Sequence, residues 1–193
     1  MTRSTESLYQ FTKADWDFIH SKERENTITK LELLGDMCKY KTNDNKAVLF
    51  DYKPMDEELK LPNIFVIVDK ISTNNKLKRI QLGDGVRVLS SYCFYQEGLK
   101  KIELNEGLII VAKQALAGNS FNEIVIPSTV KLLGTGCLSG SFVGDAKIVV
   151  HSRHLKLEDI FKACGDNNYG KECTSITIEL VPTKETYRRD LRE

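Results

Sequence analysis

Histidine and proline are scarce in this chain, with 3 and 4 among 193 residues, and tryptophan occurs once, as Trp16. The three histidines, His20, His151 and His154, are too scattered to build a catalytic or metal site. His151 and His154 stand three apart, but no Cys, Asp or Glu completes a ligand spacing, so no metal is expected. Neither sign of charge prevails. With 28 basic and 27 acidic side chains the formal net charge is +1, and no global field recruits nucleic acid or an anionic membrane. No apolar run approaches the roughly 18 residues of a membrane span. The first ten residues, MTRSTESLYQ, hold no apolar stretch of signal-peptide length. These absences predict a soluble, cytoplasmic protein without membrane partners. Five cysteines (Cys38, Cys93, Cys137, Cys164, Cys173) form an odd set without a C-x-x-C pair, which argues against a disulfide framework and a zinc knuckle and predicts reduced structural thiols.

Catalytic signatures are equally thin. Gly83-Asp-Gly85 lacks the further Gly and the Lys-Ser/Thr of a phosphate loop and, like Asn105-Glu-Gly107, fits turn chemistry. No serine elbow, no cysteine with a poised histidine and no paired-acid motif stands out, so the sequence predicts neither an enzyme nor a cofactor. Basic clusters at Lys76-Leu-Lys-Arg79, Lys100-Lys101 and Arg188-Arg189 are interleaved with acids and lack stacking aromatics. A nucleic-acid-binding accessory protein using these clusters is the alternative reading.

What the chain has is a period. Leu77-Lys-Arg-Ile80-Gln-Leu82 returns as Leu99-Lys-Lys-Ile102-Glu-Leu104 and again as Phe121-Asn-Glu-Ile124-Val-Ile126, each time displaced by twenty-two positions. The second half of each unit keeps step, as Val86, Leu89, Cys93 and Phe94, then Leu108, Val111, Ala115 and Leu116, then Val130, Leu133, Cys137 and Leu138. Recurrent apolar columns at this spacing are the mark of repeats that bury their faces against their neighbours. Cys93 and Cys137 share a column with Ala115 that asks for a small apolar residue.

The units resemble the BspA-type (Treponema-type) leucine-rich repeat, roughly L-x-x-I-x-I-P-x-x-V-x-x-I-g-x-x-A-F-x-x-C. Ile124-Val-Ile126-Pro127-Ser-Thr-Val130 and Leu133-Gly134-Thr-Gly-Cys137-Leu138 come closest, and Cys93-Phe94 fills the A-F position. Two departures are read: the proline is kept only at Pro127, and the cysteine or asparagine that usually ends a unit is missing. The resemblance covers about residues 77–150. It implies a mixed α/β protein, a short leucine-rich-repeat solenoid of three to four units with non-repeat caps, its period running from twenty-two to twenty-four. It also implies protein binding, and the cell-surface role of longer family members is not carried over.

The domain reading is 1–76, an N-terminal cap or small α+β subdomain; 77–150, the repeats; and 151–193, a C-terminal helix–strand cap with a charged tail. In the first part, a helix over Thr12–Arg24 either covers the open end of the repeats or exposes Trp16 as an anchor. Ile28–Leu33 reads as a degenerate cap strand, Lys46–Phe50 and Asn63–Val68 as strands, and 51–62 as a loop or loose helical turn. Ile148 falls two positions later than the period places it after Ile124, so an insertion near Ser141–Gly144 is expected. Leu157, Ile160, Phe161 and Cys164 give a short amphipathic helix ended by Gly165, Thr174–Leu180 alternates as a strand, and Lys184–Glu193 reads as mobile or helical.

Period-two alternation turns Ile80, Leu82, Ile102, Leu104, Ile124 and Ile126 inward. It turns outward two ladders, Arg79-Lys101-Glu123-Lys147 and Gln81-Glu103-Val125-Val149. That face is either a solvated surface with lateral ion pairs or a binding surface. The candidate protein-binding residues are Arg79, Gln81, Lys101, Glu103, Glu123 and Lys147, with Trp16 from the N-terminal region. The expected function is a non-enzymatic interaction module that binds another protein, with self-association open. Size and the missing chemistry also suggest an effector or inhibitor encoded by a virus or mobile element.

Overall fold

A computed structural model describes residues 38–43, 46–52, 57–60, 66–67, 77–166 and 168–192. The helix expected over 12–24, Trp16 and the strand expected over 28–33 lie outside these.

Each repeat unit supplies one short strand to each of two ladders. In the first ladder β3 (Glu58–Lys60), β5 (Arg79–Gln81) and β7 (Lys101–Glu103) run parallel, with Leu59, Ile80 and Ile102 on one rung. It resumes with β9 (Phe121–Ile126), β11 (Phe142–Val150) and β12 (Cys173–Leu180), where Ile124, Ile148 and Ile178 share a rung. The second ladder starts from an antiparallel pair, β1 (Cys38–Asn43) and β2 (Lys46–Tyr52). It continues in parallel through β4 (Val66–Ile67), β6 (Val88–Leu89), β8 (Ile110–Val111) and β10 (Leu132–Leu133).

The turns between the two ladders repeat as well. Val86, Leu108 and Val130 donate their amides to Gly83, Asn105 and Pro127 at 3.1, 3.2 and 3.3 Å, one closure per unit. After the second strand the chain coils, and each coil bonds to the next. The amides of Phe94 and Gln96 reach the carbonyls of Ala115 and Ala117, and those of Leu116 and Gly118 reach Cys137 and Ser139, at 2.8 to 3.0 Å. The backbone inside the coil is thereby satisfied without helix or strand. Two left-handed positions recur in every coil, Tyr92, Gln114 and Gly136, then Gln96, Gly118 and Gly140, all with φ between 52° and 73°, and the first coil adds Gly98 at 68°.

The core is the set of apolar columns. Cys93, Ala115 and Cys137 are fully buried, as are Phe94, Leu116 and Leu138. Of the positions expected to point inward, Leu104 alone is half-buried, and the other five are buried. A polar column runs inside the apolar ones. Glu97, Asn119 and Ser141, one period apart, are all buried. Asn119 accepts from the Leu99 amide (3.0 Å) and donates to the carbonyls of Phe94 (2.9 Å) and Leu116 (2.7 Å). The Ser141 hydroxyl also reaches Leu116 O, at 2.7 Å. Asn119 follows Ala115-Leu116 at the spacing where a unit ends, which corrects the reading that no such residue is present.

Two further differences, and the expected insertion before Ile148, have local causes. The stretch read as a loop over 51–62 contains β3, because the amides of Lys78 and Arg79 leading into β5 need an acceptor and find it in Glu57 O, at 2.7 and 2.9 Å. The repeat pattern therefore reaches N-terminal to Leu77 in both ladders, through β3 and β4. The two extra residues before Ile148 are absorbed within β11 as a register shift between Phe142 and Lys147, with Gly144 at φ 62°. The tail expected to be mobile or helical forms β13 (Glu185–Asp190), antiparallel to β12, with Tyr187 edge-on to Phe161 at 5.2 Å.

The helix α1 (Leu157–Ala163) matches expectation, and so does its end at Gly165. The amides of Gly165 and Asp166 return to Lys162 O and Phe161 O in a Schellman pattern. Among the described residues strands predominate and α1 is the one α-helix.

Candidate functional site

The outward side chains of the first ladder make one face. Because successive parallel strands stay in register, Arg79 lies beside Lys101, Glu123 beside Lys147, Gln81 beside Glu103, and Val125 beside Val149. The face is wider than the sequence suggested. Glu58 and Lys60 extend it on one side, and Thr177, Glu179, Thr186 and Arg188 on the other. The clue to the first two was the alternation in Glu58-Leu59-Lys60, with Leu59 one position short of a full period before Ile80.

Between β7 and β9 the ladder breaks. The two strands are neighbours, yet among the described residues no backbone pairing joins them, and the sheet divides into β3-β5-β7 and β9-β11-β12-β13. A depression of about 540 Å³ opens over this seam. Ile102 and half-buried Leu104 contribute apolar atoms to it, Lys100, Lys101, Glu103 and Glu123 frame it, and Val125 stands 42% exposed at its side. Four of the six ladder candidates, Arg79, Lys101, Glu103 and Glu123, line this hollow. Gln81 lies outside it in a smaller neighbouring one, and Lys147 lies on the far side of Glu123.

The charges on the face do not pair as simple lateral ladders. Arg79 reaches sideways to Glu58 at 2.7 Å and Lys147 to Glu179 at 3.0 Å, each away from the seam. Lys101 turns along its own strand to Glu103, also at 2.7 Å. Its hydrogen bond and charge, with a contribution from Lys60, hold the Glu103 carboxyl below the usual range. Glu123 sits between the two engaged lysines and forms no ion pair among the described residues. These pairs are exposed, so each contributes little to stability. Their effect is to fix where charge stands.

Elsewhere, the thiols are chemically quiet. Burial pushes Cys164 up to about 12 and raises Cys93, Cys137 and Cys173, so none is a thiolate at neutral pH. Hydroxyls of Thr174 and Ser175, with Arg192, hold the Asp145 carboxyl low. Among the described residues no group of three or more His, Cys, Asp or Glu could hold a metal ion, and no helix is long and apolar enough to cross a membrane.

Residues 49–168 match the family model described as BspA type leucine-rich repeat region, in six copies. No curated protein and no solved structure matches the chain.

Proposed function

Because this chain belongs to the BspA-type leucine-rich-repeat family, a family suited to protein interaction and typically non-enzymatic, we propose that the first ladder binds another protein across the β7/β9 seam. The observation that carries this reading is the seam depression: apolar atoms from Ile102 and Leu104, with Val125 at its side, framed by charges, among them Glu123 with no ion pair among the described residues. An interface hot spot has that layout, an apolar anchor site inside a polar rim. Glu123 favours a partner that brings a basic side chain, while Lys100 and Lys101 reward an acidic one. Arg79, Gln81 and Lys147 widen the contact, and the repeats act as a capped solenoid that presents it. Binding by occupation, without chemistry, is how an effector or inhibitor works.

The test is affinity capture from the source organism with the wild type and a Lys101→Glu, Glu123→Lys double variant. A stoichiometric protein retained by the wild type and lost by the variant, at equal melting temperature, supports the reading. Retention by both removes the seam as the binding site.

A further inference from the structure

Among the described residues, strand β13 ends its sheet with an open side. It belongs to the part of the chain beyond the matched repeats, and its side chains other than that of Tyr187 are exposed. Backbone parity can be read from its pairing with β12. Leu191 donates its amide to Thr174 O at 2.8 Å, and the register sets Arg189 opposite Ile176, Tyr187 opposite Ile178 and Glu185 opposite Leu180. Hydrogen-bonded pairs alternate in an antiparallel ladder, so residues 185, 187 and 189 turn their amides and carbonyls to β12. Thr186, Arg188 and Asp190 therefore turn theirs outward.

Exposed edges are normally blunted by a proline, a bulge, a short strand or charged side chains. β13 has no proline and no register shift, and its charges, Glu185, Arg188, Arg189 and Asp190, are of both signs, so a second strand in the right register pairs with them instead of being repelled. We propose that β13 pairs antiparallel with β13 of a second copy of this chain, about a twofold axis through Tyr187.

Parity and charge select that register together. Only axes on a residue let outward amides meet outward carbonyls; axes between residues do not. An axis on Arg188 sets Arg188 against Arg188, and one on Thr186 sets Lys184 against Arg188. The axis on Tyr187 joins Thr186 to Arg188 in hydrogen-bonded pairs. It also sets Glu185 opposite Arg189 twice, at non-hydrogen-bonded positions where side chains come closest. A twofold interface must be complementary to itself, and this order of charges is. Beside the edge, Leu157, Ile178, Leu180 and Tyr187 line an apolar hollow of about 250 Å³, with Val181 43% exposed nearby. The second Tyr187 would arrive next to it. The inference stands apart from the seam reading, although pairing would join two ladder faces into one sheet.

Sedimentation velocity on the full chain, over a concentration series reaching about 1 mM, tests the proposal. A small interface of this kind predicts a weak dimer that dissociates on dilution within that series. Arg189→Glu should weaken it about tenfold or more, and adding Glu185→Arg to that variant should restore it. Arg188→Pro removes an outward amide while leaving the β12 bonds intact, and should abolish the dimer. All three positions are exposed, and a thermal melt confirms that each variant folds. A chain monomeric throughout overturns the proposal. So does a dimer indifferent to Arg189→Glu and Arg188→Pro, or a double variant that fails to restore pairing.

Discussion

Lys101 and Glu103 lie on the same side of β7, and their Nζ and Oε1 atoms meet at 2.7 Å, while Glu123 across the seam has no ion pair among the described residues. The period sets Lys101 and Glu123 at corresponding positions of successive units. The missing β7/β9 backbone bonds and the choice of rotamer decide which carboxylate the lysine takes. Replacing Lys101 with Met should therefore raise the Glu103 pKa toward the ordinary carboxylate value in an NMR titration, with Lys60 still holding it slightly low. The depressed value makes any stabilisation present at neutral pH and lost as pH falls through it. Because both groups are exposed, the melting temperature should move by no more than about 4 °C. An unmoved titration would show that the pair does not form.

The buried thiols predict a second outcome. At pH 8 a disulfide reagent such as DTNB should leave Cys93, Cys137, Cys164 and Cys173 unlabelled in the folded protein and label them on unfolding. Their folded pKa values are raised above the usual 9.0, so the unfolded chain sheds these protons first. Stability should be intact below about pH 9 and decline as pH rises toward about 12, which urea melts across that range would record. Fast labelling of Cys137 in the native state would contradict the packing.

Asn119→Ala removes one acceptor and two donors from the buried column and strands the Leu99 amide and the Phe94 carbonyl. The expected loss is about 3 kcal/mol in urea unfolding, since buried polar groups left without partners cost more than the bonds contribute. A loss under about 1 kcal/mol would mean that water or a neighbour satisfies those groups.

The period made the apolar columns legible because three successive units write the same pattern, so Ile80, Ile102 and Ile124, or Cys93, Ala115 and Cys137, identify one another. What it hid is equally specific. Leu59 falls one position out of phase with Ile80, in a stretch bracketed by Pro54 and Pro62 that reads as loop. The column of Glu97, Asn119 and Ser141 has the right spacing but polar chemistry, which a search for a hydrophobic core passes over. β13 has no apolar face. It is a strand because β12 would otherwise end in unpaired amides, a demand made by a neighbour rather than by its own residues. Four of the ladder candidates gather at one hollow, and the hollow itself comes from a break in pairing that side-chain types do not encode.

The register has a consequence for how the protein comes to be folded. Rungs of the parallel ladders join positions that are near in sequence, as from Val48 to Val66, Leu59 to Ile80, Ile80 to Ile102, or Ile148 to Ile178. The entropy of closing a loop grows only with the logarithm of its length, and here each closure is short enough that the costs differ little. Order can therefore spread from one unit to the next without a long-range search. A chain leaving the ribosome could lay down each rung soon after its second strand emerges, long before the last residue is made.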